Sequence, residues 1–185
     1  MDAAVNIRRT LVSLAAAAFV LAGCSEASQA PLAPTPPART LTGGIDVSGL
    51  LQFVGTPSLS GTRHAEKFIS AAQGGFVELN GFRVDIPAGA LPYDTNVTID
   101  LPGDQLLAKR VMAEFGPHGI QFNQPVTLSF PLTNVLLNGG PIEVARWEND
   151  HWVGLGGSIS GDGTRLYGTT PHFSYYGGKY IMAGG

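Results

Sequence analysis

Phe82-Arg83-Val84-Asp85-Ile86 alternates apolar and charged side chains over five positions, and Pro87 follows at once. An extended chain sends successive side chains to opposite faces, so this stretch reads as a strand with one buried and one wet face. Proline, which has no amide proton for a ladder, ends it. The same alternation returns at Val97, Ile99 and Leu101 around Thr98 and Asp100, and at Val126, Leu128 and Phe130 around Thr127 and Ser129 before Pro131. Strands that are dry on one side only belong to antiparallel sheets packed face to face. The expected fold is therefore all-β, an antiparallel β-sandwich.

Outward from these strands, no long helical periodicity appears after Gly44, and glycine or proline recurs about every ten residues, the rhythm of short strands and tight turns. Further strands are expected at Glu66–Ser70, Gly75–Leu79, Arg110–Phe115, Ile142–Trp147, Trp152–Leu155, Arg165–Thr169 and His172–Met182. Glu148-Asn149-Asp150 and Gly161-Asp162-Gly163 supply turn chemistry between them. Gln105–Lys109 and Arg63–Lys67 are short enough to be single helical turns. Residues 45–62 read either as an edge strand or as more linker.

The first 23 residues carry a different pattern. Arg8 and Arg9 precede an apolar run from Leu11 to Ala22, and Leu21-Ala22-Gly23-Cys24 contains the only cysteine of the chain. A charged start, a short apolar stretch and small residues before a cleavage point make a secretory signal, too short for a stable membrane span. The motif resembles a bacterial lipoprotein signal. That resemblance implies a mature chain beginning at Cys24, with a diacylglycerol on its thiol and a further acyl chain on its amine. Several chains, at about 0.8 kcal/mol per buried CH₂, hold a protein on a membrane where a single one binds marginally. Ser25 in place of aspartate implies, by the same resemblance, release to the outer membrane.

Pro31, Pro34, Pro36 and Pro37 then dominate residues 24–44, which are expected to form an extended tether. At about 3 Å per residue such a segment holds a domain up to roughly 60 Å from the membrane. Residues 45–185 form the expected folded domain. Loss of residues 1–23 removes Arg8, Arg9 and Asp2 and leaves nine basic against thirteen acidic side chains. Without a basic stripe, nucleic acid is not an expected partner. The membrane is expected to be reached through the lipid on Cys24 alone. With that thiol acylated the domain has no disulfide, and its stability must come from an apolar core.

Three segments carry a second resemblance: Gly74-Gly75-Phe76-Val77-Glu78-Leu79, Val84-Asp85-Ile86-Pro87-Ala88-Gly89-Ala90-Leu91, and Gly116-Pro117-His118-Gly119-Ile120-Gln121-Phe122 with Pro125. In that order they resemble the signatures of the ZU5 domain. The Trp147 and Trp152 hairpin and the closing His172-Phe173-Ser174 with Tyr176 resemble the C-terminal half of its bacterial relatives. The resemblance implies a β-sandwich used as a binding module. It names no partner here, and an envelope protein or a polysaccharide is the expected class. Physically the motifs are punctuation: Pro87 ends a strand, Gly89 turns it, and Gly116 and Gly119 bracket another turn.

Some ZU5-containing proteins look similar at His172-Phe173-Ser174 and cleave themselves between Phe173 and Ser174. In that alternative Ser174 is the nucleophile and His172 the base that takes its proton. The competing reading makes the tripeptide part of a last strand, with Phe173 and Tyr175 toward the core and Ser174 and Tyr176 outward. Other chemistry has less support. His64, His118, His151 and His172 lack metal-ligand spacing, so no metal or cofactor is expected. Ser160-Gly161-Asp162-Gly163 lacks the alternating ligands of a calcium loop. Trp147, Trp152, Tyr167, Tyr175, Tyr176 and Tyr180 gather in the last third of the chain, and on one exposed face they would stack on sugars, which makes a carbohydrate-binding module the other alternative. The leading expectation is a non-catalytic, lipid-anchored interaction or structural module of the cell envelope.

Overall fold

A computed structural model of the chain describes residues 44–55 and 61–181. The expected signal at residues 1–23, Cys24 with its expected acylation, the expected tether up to residue 43, and Met182 lie outside the described residues.

Two antiparallel sheets stack as a sandwich. The larger runs β10 (His151–Gly156), β9 (Ile142–Glu148), β13 (Tyr175–Tyr180), β6 (Met112–Gly116), β5 (Thr95–Asp100) and β2 (His64–Ile69). The smaller runs β11 (Ser158–Ile159), β12 (Arg165–His172), β7 (Gln121–Pro131), β4 (Phe82–Ile86) and β3 (Gly75–Leu79). The alternation at residues 82–86 is realised as expected: Phe82, Val84 and Ile86 are buried, while Arg83 and Asp85 are half-exposed and hydrogen-bonded to each other. Between the sheets the rings make a continuous edge-to-face series. Phe130 meets Phe82 at 5.8 Å and Phe115 at 6.1 Å, and Phe115 meets Tyr176 at 5.9 Å. Each such pair adds about 0.5–1.5 kcal/mol beyond its buried area.

The hairpin between β9 and β10 turns on Asn149 and Asp150, both at positive φ, the requirement of a tight turn that follows strand twist. Gln105–Ala108 is a single helical turn, capped by the Asp104 carboxylate on the amides of Leu106 and Leu107. Residues 63–67 are not helical. From His64 they form β2, paired with β5 from His64 opposite Asp100 to Ile69 opposite Thr95. Four or five residues cannot sustain a helix alone, whereas here a complete ladder is available.

Residues 45–53 belong to the domain. Leu51 is fully buried, its amide donates to the Gly178 carbonyl at 2.8 Å, and its own carbonyl accepts from Val111 at 3.0 Å. The short β1 (Gln52–Phe53) then pairs with β8 (Val135–Leu136). Among the described residues the buried core is contributed from Leu50 onward, by the strands of the two sheets and by connecting residues such as Leu51, Leu91, Ile120 and Phe173, so the domain has a hydrophobic core of its own.

Candidate functional site

The three segments that carried the second resemblance meet at one end of the sandwich. Gly74 takes φ 68° with its α-carbon against the Ile86 carbonyl and Pro87, leaving no room for a side chain. Gly89 takes φ 78°, and its amide donates to the Ala71 carbonyl at 2.7 Å. The segment after Gly119 reaches back: the Asn123 amide donates to Ala90 at 2.8 Å, and the Gln124 side chain donates to Ala88 at 2.8 Å. Gly119 adopts the positive φ of a turn residue, whereas Gly116 does not and instead precedes a cis proline. The motifs are thus a set of interlocked turns, held by backbone hydrogen bonds and by the Asn123 and Gln124 side chains that follow them.

His172-Phe173-Ser174 lies at this same end, where the chain leaves β12 in one sheet and enters β13 in the other. That crossing overturns the expected facing of the last strand. Phe173 is buried, packed edge-on against Phe122 at 4.7 Å, but Tyr176 is fully buried while Tyr175 stays half-exposed. Two-residue periodicity holds only within one sheet, and the change of sheet at residues 173–174 resets it. Tyr176 then anchors the junction. Its hydroxyl donates to the His172 carbonyl at 2.5 Å and lies 2.7 Å from the Thr170 hydroxyl. Burial pushes this phenol up to about 12, so it remains a donor.

The side chains assigned to self-cleavage are adjacent but face different partners. The imidazole Nδ1 of His172 is 3.1 Å from the Phe173 carbonyl oxygen, and the Ser174 hydroxyl donates to the Trp147 carbonyl at 3.4 Å. A carbonyl oxygen only accepts, so Nδ1 carries the proton in this contact. In that state it polarises the Phe173 carbonyl; it is not placed as a base on the Ser174 hydroxyl. The Ser174 carbonyl is held in turn by the Phe115 amide at 2.9 Å.

The C-terminal aromatics do not make one exposed face. Trp147 and Tyr176 are buried, and Trp152, Tyr167, Tyr175 and Tyr180 are half-buried. Several have structural partners. Trp147 and Trp152 pack edge-to-face at 5.3 Å, and the Trp152 indole donates to the Asp46 carbonyl at 2.5 Å. The Tyr180 hydroxyl donates to Leu136 at 2.8 Å, and the Tyr175 ring meets His118 at 5.5 Å. Among the described residues no group of three or more His, Cys, Asp or Glu side chains could hold a metal ion.

Two exposed aromatics lie elsewhere, on the edge strands β2 and β3. Phe68 is 62 % and Phe76 42 % exposed. Arg83 lies 3.8 Å and Lys67 4.5 Å from the Phe76 ring, and the Lys67 ammonium donates to the Phe76 carbonyl at 3.1 Å. The signal for this patch was present in the sequence, since Phe68 and Phe76 break the polar positions of their strands. It needed the knowledge that both strands are edges.

No protein-family model matches this chain, and no curated protein matches it.

Proposed function

We propose that this chain is a cell-envelope lipoprotein, anchored through Cys24, whose β-sandwich acts as a non-catalytic interaction module of ZU5-like type. The observation that carries the interaction reading is the patch at the β2 and β3 edges. Exposed Phe76 with Arg83 and Lys67 on its ring, and exposed Phe68 on the neighbouring edge strand, make a sheet edge suited to a macromolecular partner. The quoted motifs support the ZU5-like reading, because their glycines and prolines do structural work where those signatures fall. A photo-cross-linking residue placed at Phe76 in growing cells is expected to yield an adduct with an envelope macromolecule. Absence of adducts at both Phe68 and Phe76 would overturn the reading. Palmitate labelling is expected to be lost in Cys24→Ser, and a label that persisted would move the anchor elsewhere.

One observation favours a second reading, self-processing. The His172 imidazole on the Phe173 carbonyl would stabilise charge developing on that oxygen if the Ser174 hydroxyl left Trp147 and attacked. The mass of the fully denatured chain decides it. Fragments divided between Phe173 and Ser174, absent in Ser174→Ala, are the expected result of cleavage, and a single uncut species excludes it.

A further inference from the structure

The end of the sandwich away from the interlocked turns opens into a cleft of about 700 Å³, within the roughly 300–1,000 Å³ range of small-molecule sites. Buried Phe82 and Met112 and half-buried Phe53 supply apolar wall, and Arg63, Arg110 and Arg165 also line it. None of the described residues lining the cleft is acidic.

The cations differ in how far they are already engaged. Arg165 donates to the Gly81 carbonyl at 2.8 Å and the Ser129 hydroxyl at 2.7 Å, and lies 4.0 Å from Glu78. Arg110 reaches only the Leu50 carbonyl, at 3.5 Å, and its Nε is buried without a hydrogen-bond partner. The Arg63 side chain makes no hydrogen bond or ion pair among the described residues, and its Nε is likewise buried and unpartnered. A guanidinium is a planar fork of five donors that fits an oxyanion, and donors shut off from water are costly until something accepts from them. Uncompensated guanidinium beside apolar wall is complementary to a molecule with an anionic head and an apolar body.

We propose that this cleft binds a small amphiphilic oxyanion, a carboxylate or monophosphate ester on an apolar body, with Arg63 and Arg110 receiving the head and Phe82 and Met112 the body. The site goes beyond the interaction-module reading and does not rest on it.

Isothermal titration of the whole chain, purified without added lipid, tests this with octanoate, octyl phosphate, 1-octanol and inorganic phosphate. Both octyl anions are expected to bind one to one, at least tenfold more tightly than 1-octanol or inorganic phosphate. Arg63→Gln and Arg110→Gln are each expected to weaken them tenfold or more, while Lys179→Gln, on β13, leaves affinity unchanged. Near-UV circular dichroism checks that each variant is folded, and should one fail, the other variant and the ligand series still decide. Equal affinity for 1-octanol, unchanged affinity in both arginine variants, inorganic phosphate matching octyl phosphate, or no saturable uptake of either anion would each overturn the proposal.

Discussion

Leu51→Ala is the most direct test of whether residues 45–53 belong to the sandwich. Leu51 is 0 % exposed and sits inside the core cluster, with its backbone bonded on both sides to Gly178 and Val111. The substitution leaves those backbone bonds available and removes three side-chain carbons. At about 0.8 kcal/mol per buried methylene the transfer loss is roughly 2.4 kcal/mol. The cavity left behind brings buried Leu→Ala changes to about 2–5 kcal/mol, so about 3–4 kcal/mol is expected. For a domain of this size each kcal/mol moves Tm by about 3–4 °C, and the melt should fall by about 9–16 °C. Urea unfolding followed by tryptophan emission is a suitable assay, since Trp152 is bonded to Asp46 in the same segment. Val54→Ala, at a position 60 % exposed, is the control and should stay within about 0.5 kcal/mol. A Leu51→Ala loss below about 1 kcal/mol would refute the reasoning and take residues 45–53 out of the sandwich.

Other outcomes follow from the same geometry. Tyr176→Phe removes the hydroxyl that holds the His172 carbonyl and faces buried Thr170, and should cost about 1–3 kcal/mol in urea unfolding; a neutral result would mean the junction is held by ring packing alone. Gly74→Ala and Gly89→Ala both place a side chain at positive φ, a penalty of about 1–2 kcal/mol, but only Gly74 is pressed against the Ile86 carbonyl. Gly74→Ala should therefore be clearly the worse in thermal melts, and equal losses would deny that the turns interlock. The Asp162 carboxyl is held down to about 2, first by the Ser160 hydroxyl and then by the Thr164 amide and hydroxyl. A depressed carboxylate contributes stability that is present above its ordinary value near 3.8 and is lost as pH falls through about 2. Asp162→Asn should flatten the change in urea midpoint between those limits, and an unchanged slope would place the acid sensitivity in other carboxylates.

The strands at residues 82–86, 97–100 and 126–128 were legible because each stays in one sheet and alternates buried and wetter positions; Ser129, expected on the wet face, is instead fully buried because the Arg165 side chain covers and donates to its hydroxyl. Legibility failed where the chain leaves that condition. At Phe173-Ser174 a change of sheet shifts the parity, and Tyr176 moved from an expected outer position to the core. Residues 63–67 and 45–53 were obscure for another reason. Their pattern is weak because β2 is an edge strand that buries only Ile69, and because the inner segment contributes only Leu50 and Leu51 to the core. Both are held by backbone ladders whose partners lie far along the chain, and no local pattern of side chains records that.

The same distinction explains why the chemistry-bearing tripeptide was visible and the cleft was not. His172, Phe173 and Ser174 are consecutive, so a motif can name them, yet His172 and Ser174 would share a face only in one unbroken strand, and the change of sheet between them leaves the imidazole and the hydroxyl serving different carbonyls. Arg63, Arg110 and Arg165 come from the residue before β2, the approach to β6 and the start of β12. Each alone resembles an ordinary solvated cation at a strand end. Only antiparallel topology, which returns those three strand ends to one end of the sandwich, makes them lining residues of a single cleft. An arginine at a strand end becomes informative when the fold gives it cationic neighbours and no acid, and that condition is met here by Arg63 and Arg110, with Arg165 already partly engaged. The affinity lost on replacing Arg63 should accordingly exceed any loss of fold stability, because nothing among the described residues relies on its side chain.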